Sequence, residues 1–132
     1  MRTFAAMLAI LSGLGFGLPA AYGSWYFARY GFAWRLMGFP THETSRFFEQ
    51  FGLFTSWPLI AGFVLVCAVE VACGWLLWAN KPAGRWLAFA LLPFELAYWL
   101  GFNLPFGPLG GLLRTLALLS KSATTEPASH RA

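Results

Sequence analysis

Residues 57–79, WPLIAGFVLVCAVEVACGWLLWA, form a long apolar run that is interrupted by one acidic residue, Glu70. An α-helix needs about 20 apolar residues to cross the roughly 30 Å hydrocarbon core of a bilayer. Pro58 stands in the first turn, where proline is tolerated, and residues 80–84, NKPAG, form a turn that ends the run. The sequence therefore predicts a transmembrane helix over residues 57–79.

Three further apolar segments flank this helix. We predict spans over residues 4–22, 85–103 and 109–119, the last of them short. Whole-chain composition agrees, because 11% of the residues are charged, whereas a soluble globular domain has about 25%. The expected fold is therefore all-α: residues 1–120 form one domain, a four-helix transmembrane bundle.

The first span has an alternative interpretation as a cleaved signal peptide, since Ala21-Tyr22-Gly23 resembles a small-x-small cleavage site. Its apolar stretch is longer than a usual signal core, which favours a retained helix. The small side chains on this span would let a neighbouring helix approach closely. They are Ala5, Ala6, Ala9, Ser12, Gly13, Gly15 and Gly17.

Residues 23–56 form an aromatic-rich extracytoplasmic loop between the first two spans. Its first part, residues 24–37, is too aromatic for a free loop, so it either extends the first helix or lies flat at the membrane interface. Residues 41–50 predict a short amphipathic interfacial helix. At the other end of the chain, residues 121–132 are rich in Ser, Thr and Ala and predict a disordered cytoplasmic tail.

The basic residues are dispersed, which indicates a role in membrane topology rather than in binding nucleic acid. One predicted side of the membrane holds the N-terminus, the turn after the second span and the tail. The other side holds the first loop, where three Arg face two Glu. This bias predicts a multi-pass protein of the cell membrane with both termini in the cytoplasm. The charges on the cytoplasmic side are Arg2, Lys81, Arg85, Lys121, Arg131 and Glu126.

Three ionisable residues interrupt the predicted spans, namely Glu70, Glu95 and Arg114. At 1.5 Å of rise per residue, each lies about 13–16 Å from the flanking turns, near the midplane. A charge at this depth costs several kcal/mol unless it faces inward and finds a partner. We therefore predict a buried Glu70–Glu95–Arg114 cluster.

The charge balance of this cluster leaves two interpretations open. One arginine neutralises one carboxylate, so the other carboxyl would hold a proton near neutral pH and could orient a ligand or relay protons. Alternatively, the cluster is only a polar clamp that sets the register of the helices.

Four neighbouring side chains predict a ligand pocket around the cluster. Cys67 and Cys73 each lie three residues from Glu70 on roughly the same helix face. Tyr98 and Trp99 lie one turn from Glu95 and could donate hydrogen bonds to it.

Metal and common catalytic sites are not indicated by the sequence. The spacing of the two cysteines fits neither a disulfide within one helix nor a CxxC pair. In the loop, His42 has only Glu43 and Glu49 beside it, which is not a usual ligand set, so we predict no metal site. Because common hydrolase motifs are also absent, an enzyme is the less favoured class.

Several short motifs resemble the DoxX-like family of small four-helix membrane proteins. They are Gly38-Phe39-Pro40, the phenylalanine-containing segment Phe47 to Gly52, and Glu70 to Gly74 followed by Leu76-Leu77. The resemblance covers roughly residues 5–100, and Glu95 and Arg114 do not map onto a family motif. It implies a membrane subunit linked to respiratory or thiol-related oxidoreductases and to quinol oxidation.

These observations predict a non-catalytic membrane subunit, or a quinone- or lipid-binding protein associated with a redox complex. The expected partners are the bilayer and either a membrane oxidoreductase or a second copy of the chain. One alternative is a small proton-coupled transporter of lipophilic compounds, using a membrane carboxylate. Another is a membrane enzyme that uses its two carboxyls as acid and base on a lipid-soluble substrate.

Overall fold

A computed structural model describes residues 2–36, 39–40, 46–102 and 107–123 of the chain. Within these ranges the fold is all-α apart from one pair of two-residue strands. The elements are α1 (Arg2–Tyr30), β1 (Arg35–Leu36), β2 (Phe39–Pro40), α2 (Arg46–Glu49), α3 (Trp57–Trp78), α4 (Pro82–Gly101) and α5 (Gly107–Ala123). The two strands pair antiparallel, so the chain reverses its direction after α1.

Each predicted span corresponds to one of the long helices, with shifted ends. The first helix continues to Tyr30, so the aromatic segment after the first span begins as a helical extension. The last helix continues to Ala123, which corrects the expected start of a disordered tail at residue 121. Of the expected interfacial helix, residues 41–45 lie outside the described residues, and the rest contains the four-residue α2.

Two of the helices, α1 and α3, are long and apolar enough to cross a membrane by length and composition. The hydropathy of α4 is lowered by Arg85, Pro93 and Glu95. The 17 residues of α5 give a helix about 25 Å long, slightly less than the hydrocarbon thickness.

The four long helices form a closed ring. Helix α1 packs along α3, α3 against α4, α4 against α5, and α5 back against α1. Among the described residues, no close backbone approach joins α1 to α4 or α3 to α5, so these pairs are the diagonals of the ring. The centre of the ring is therefore filled by side chains alone.

The closest helix pair is α1 with α3, and glycines on both helices make this approach possible. A methyl group at Gly13 would stand 2.8 Å from the carbonyl oxygen of Cys67, and one at Gly17 would stand 2.9 Å from the Cβ of Cys67. On the facing helix, Gly74 lies against Ile10 in the same way. Small residues thus set the α1–α3 distance, as the composition of the first span predicts.

The turn between α3 and α4 is formed by a left-handed residue, Asn80, with φ of 65°. The Lys81 N–H donates to the Leu76 carbonyl at 2.9 Å, and the Asn80 N–H donates to the Leu77 carbonyl at 3.2 Å. These are the two bonds of a Schellman motif, which ends a helix by satisfying its last carbonyls. The Arg2 side chain donates to the Asn80 side-chain carbonyl, so the start of α1 lies beside this turn.

The interior contains two apolar layers. We call the layer nearer the α3–α4 turn the proximal core and the other the distal core. The proximal core comprises Ala5, Ala6, Cys73, Leu77, Ala88, Ala117 and Leu118. The distal core comprises Ala20, Phe48, Ile60, Phe63, Cys67, Trp99 and Phe102. Both ends of the described chain therefore lie at the proximal end of the bundle.

Helix α2 docks onto the distal end of the bundle through Phe48. Its ring lies directly over Gly101, where a methyl group could not fit, and makes edge contacts with Tyr98 and Phe102. The loop after α1 therefore covers the distal core, a feature that the sequence does not determine.

Replacing Phe48 is expected to detach α2 from the distal end of the bundle. Phe48 is 5% exposed and Phe51 is 69% exposed, so Phe48→Ala should lower the free energy of unfolding by roughly 3 kcal/mol and Phe51→Ala by much less. Thermal unfolding in detergent measures the stability, and hydrogen–deuterium exchange over residues 46–56 measures the opening. Equal stability and exchange in the two variants would show that the loop is not docked.

Candidate functional site: a buried charge cluster

Three charged side chains lie between the two apolar cores. Glu70 is 3% exposed, and Glu95 and Arg114 are each 1% exposed. Along α3, Glu70 stands between Cys67 of the distal core and Cys73 of the proximal core. The charges thus occupy the middle layer of the bundle, the depth expected by counting residues from the turns.

Arg114 joins the two carboxylates. Its Nη1 atom donates to Glu70 Oε1 at 3.0 Å and to Glu95 Oε1 at 2.9 Å, and its Nη2 atom donates to Glu95 Oε2 at 2.5 Å. The contact with Glu95 is bidentate, the geometry in which a guanidinium binds a carboxylate most strongly. Because α3 and α5 are diagonal, the bond to Glu70 crosses the centre of the ring.

This pairing differs from the expected neutralisation of a single carboxylate. Arg114 bonds to both, and the Glu70 and Glu95 carboxyls lie close together because the Oε1 atom of each accepts from the same Nη1 atom. With both carboxyls ionised, the cluster carries one net negative charge in an interior that does not solvate it. One proton shared by the two carboxyls makes the cluster neutral, and that proton belongs to the pair rather than to either residue.

Helix α1 is the one long helix with no charge in the cluster, and it contributes Ser12 instead. From the sequence alone, Ser12 was treated only as a small residue. Its hydroxyl lies close enough to the Glu70 carboxylate to interact with it. A signal was present, since Ser12 is the one serine or threonine within the predicted span over residues 4–22. All four long helices therefore place a polar group at the same level of the bundle.

One donor in the cluster lacks an acceptor. The Nε atom of Arg114 is buried and has no hydrogen-bond partner among the described residues. An unsatisfied buried donor costs about 1–3 kcal/mol. An acceptor oxygen from a ligand or a water molecule would remove this cost, so the atom marks a position where a small polar group could bind.

The two cysteines are near Glu70 in sequence but belong to different layers. Cys67 packs in the distal core against α1. The Cys73 thiol lies in the proximal core and donates to the Gly84 carbonyl at 3.3 Å. Both are free, so the structure has no redox pair formed by these two thiols.

The two aromatic residues do not donate to Glu95 in the described part of the structure. The Tyr98 hydroxyl lies against Gly62 of α3 instead. The Trp99 indole fills the space left by Gly107 and Gly111 on α5. The expected bonds are therefore wrong, because both rings turn toward glycines that leave room for them. Whether the four residues line a ligand pocket remains a prediction.

A shallow, outward-open cavity of about 400 Å³ lies between α1 and α3 toward the distal end. Trp25 and Trp57 form aromatic walls, and Ser24 provides a hydroxyl that donates to the Trp57 carbonyl at 3.3 Å. Such a cavity suits a flat, apolar group of small size.

Within the described ranges, no group of three His, Cys, Asp or Glu side chains could hold a metal ion. His42 and Glu43 lie outside those ranges, so the sequence-based expectation about metal stays a prediction for the loop.

No protein-family model matches the chain, and neither a curated protein nor a solved structure matches it. The chain is thus a helical protein that has a buried carboxylate–arginine cluster and, among the described residues, two helices long and apolar enough to cross a membrane.

Proposed function

We propose that this chain is a four-span protein of the cell membrane that binds a quinone or another lipid-soluble ligand. In this proposal it is a non-catalytic component associated with a membrane redox complex. The redox association rests on the resemblance to DoxX-like proteins, and the ligand rests on the geometry of the charge cluster.

The distribution of apolar side chains supports four spans. Large apolar residues on all four long helices face outward, while the charged residues of the cluster face inward. A water-soluble bundle would show the reverse pattern, because contiguous exposed apolar surface is unfavourable in water. Exposed examples are Leu11 and Leu18 on α1, Leu65 and Trp75 on α3, Trp86 and Phe94 on α4, and Leu112 and Leu116 on α5.

The distribution of basic residues supports the orientation. Arg2, Lys81 and Arg85 lie in α1, the turn and α4 at the proximal end. The proximal end therefore faces the cytoplasm, with both termini on that side, according to the positive-inside bias.

The observation that carries ligand binding is the buried, unpartnered Nε of Arg114. A quinone carbonyl is an acceptor for such a donor, and its ring and chain are compatible with an apolar, aromatic interior.

Glu70→Gln is expected to lose the bound ligand while the protein remains folded. The amide keeps the size of the side chain but removes one of the two carboxylates that fix Arg114, so ligand retention should fall roughly tenfold. The measurement is extraction and mass spectrometry of lipids and quinones from protein purified in mild detergent at native expression level. Partner subunits are identified in the same samples.

Glu49→Gln is the matched control, since it makes the same change at an exposed position in α2. Equal retention of the same compound in both variants would refute ligand binding at the cluster. The absence of any enriched quinone or lipid in the wild-type protein would do the same.

A second candidate, a small proton-coupled transporter of lipophilic compounds, is favoured by the two carboxyls that share one arginine. A proton that binds and leaves this pair changes the charge of the bundle centre, which could drive alternating states. Proton-driven substrate uptake by proteoliposomes, lost in Glu95→Gln, would select the transporter over the binding protein.

A further inference from the structure

A further cavity lies at the distal end of the bundle, away from the charge cluster. It has a volume of about 400 Å³, within the range of small-ligand sites, and is open on one side. Phe27, Gly31 and Phe32 line it from the end of α1 and the turn that follows. Glu49 lines it from α2, and Phe54 from the segment that leads into α3. The cavity thus combines three phenylalanine rings with one carboxylate.

The charge on the walls of this cavity is negative. Of the charged side chains that the structure describes, only Glu49 lines it. Arg29 and Arg35 belong to the same end of the bundle, but both are exposed and neither lines the cavity. Because exposed charges are screened by water and salt, these arginines oppose a cation in the cavity only weakly.

The carboxyl end of α1 adds to the preference for a cation. Gly31 follows the last residue of α1 in a left-handed conformation, with φ of 79°, and its N–H donates to the Phe27 carbonyl at 2.8 Å. The last carbonyl groups of a helix carry a partial negative charge, and its effect is confined to the final turn. Since Phe27 and Gly31 both line the cavity, a cation bound there lies within this distance.

The aromatic rings indicate which kind of cation fits. Phe27 packs against the distal core, and the Phe32 ring makes an edge contact with Tyr26 at 5.5 Å between centroids. Phe32 is 57% exposed and Phe54 is 66% exposed, so their ring faces are accessible to a ligand. The face of an aromatic ring attracts a cation, and quaternary ammonium groups are recognised by clusters of such rings. A metal ion would instead require several oxygen ligands.

The geometry points to a binding site for an organic ammonium cation, with its nitrogen between the Glu49 carboxylate and the rings of Phe32 and Phe54. The carboxylate and the carbonyl end of α1 attract the charge, while the rings contact the alkyl groups around it. Two sources carry this chemistry, a free solute such as choline and the headgroup of phosphatidylcholine. The inference goes beyond the proposed function and does not depend on a ligand at the charge cluster.

The test measures choline binding to the full chain in an uncharged maltoside detergent, by ligand-observed NMR titration. The wild type should bind choline roughly tenfold more tightly than its neutral carbon analogue, in which carbon replaces the nitrogen. Glu49→Gln should weaken choline binding about fivefold, because the amide keeps the size of the side chain and removes its charge. Phe32→Leu and Phe54→Leu should each weaken it about threefold, because leucine is apolar but has no aromatic face.

Phe51→Leu is the matched control for the aromatic variants, because Phe51 is 69% exposed just after α2 and does not line the cavity. It should bind choline as the wild type does. Glu70→Gln should also keep choline binding, and Glu49→Gln leaves the charge cluster intact, so failure of this inference and failure of the proposed function are separate results. Since Glu49, Phe32 and Phe54 are all exposed, their variants should keep the wild-type melting temperature.

A second arm distinguishes the two sources of the cation. Choline binding by the wild type is divided by that of Glu49→Gln in nanodiscs of phosphatidylcholine and of phosphatidylglycerol, a ratio that cancels the attraction of choline to charged lipid. A lower ratio in phosphatidylcholine assigns the site to the lipid headgroup, and equal ratios above one assign it to a free solute. Equal affinities for choline and its neutral analogue, or unchanged choline binding in Glu49→Gln and Phe54→Leu, would overturn the inference.

Discussion

Arg114→Ala should lower the free energy of unfolding by roughly 3–5 kcal/mol, or prevent folding altogether. The substitution leaves Glu70 and Glu95 buried within reach of each other without the guanidinium that bonds to both. Carboxylates at this depth lack water, so the remaining charges are uncompensated. The yield of monodisperse protein in detergent and its thermal unfolding measure the effect.

Two further variants show whether the loss comes from charge. Leu113→Ala changes the neighbouring, outward-facing position of α5 and should have little effect. The triple variant Glu70→Leu, Glu95→Leu, Arg114→Met removes all charges together and should recover most of the stability. If the triple variant were as unstable as Arg114→Ala, packing rather than charge compensation would explain the loss.

Gly13→Ala is expected to lower the free energy of unfolding by about 2–3 kcal/mol, because it overpacks the α1–α3 contact. The added methyl group would stand 2.7 Å from Val71 Cγ2 and 2.8 Å from the Cys67 carbonyl oxygen. Since the oxygen belongs to the backbone, no rotamer change relieves the contact, and the two helices must move apart. Thermal unfolding in detergent or in nanodiscs measures the loss.

Gly15→Ala provides the control on the same helix. A methyl group there meets nothing within 4 Å, so the variant should be neutral or gain up to about 1 kcal/mol from helix propensity. Equal stabilities of the two variants would mean that the α1–α3 contact is not close. Intact mass of the purified protein adds a further check, because cleavage after residue 23 would remove most of α1 and both substitutions with it.

The positions of the helices and the depth of the charges follow from the sequence. Apolar runs of sufficient length specify where the long helices lie, and the turn at residues 80–84 separates α3 from α4. The rise per residue then places Glu70, Glu95 and Arg114 at one level, because depth along a helix depends only on a count.

The contacts around the charges depend on the tertiary structure. Three of these contacts depend on how each helix is rotated about its axis. They are the bonds from Arg114 to two carboxylates, the approach of Ser12 to Glu70, and the docking of Phe48 over Gly101. Rotation is set by the shape of neighbouring helices, including the gaps at glycines into which Tyr98 and Trp99 turn. The count of residues thus predicts that Glu70, Glu95 and Arg114 share a layer, whereas packing sets which atoms meet, because side-chain direction responds to neighbours distant in the chain.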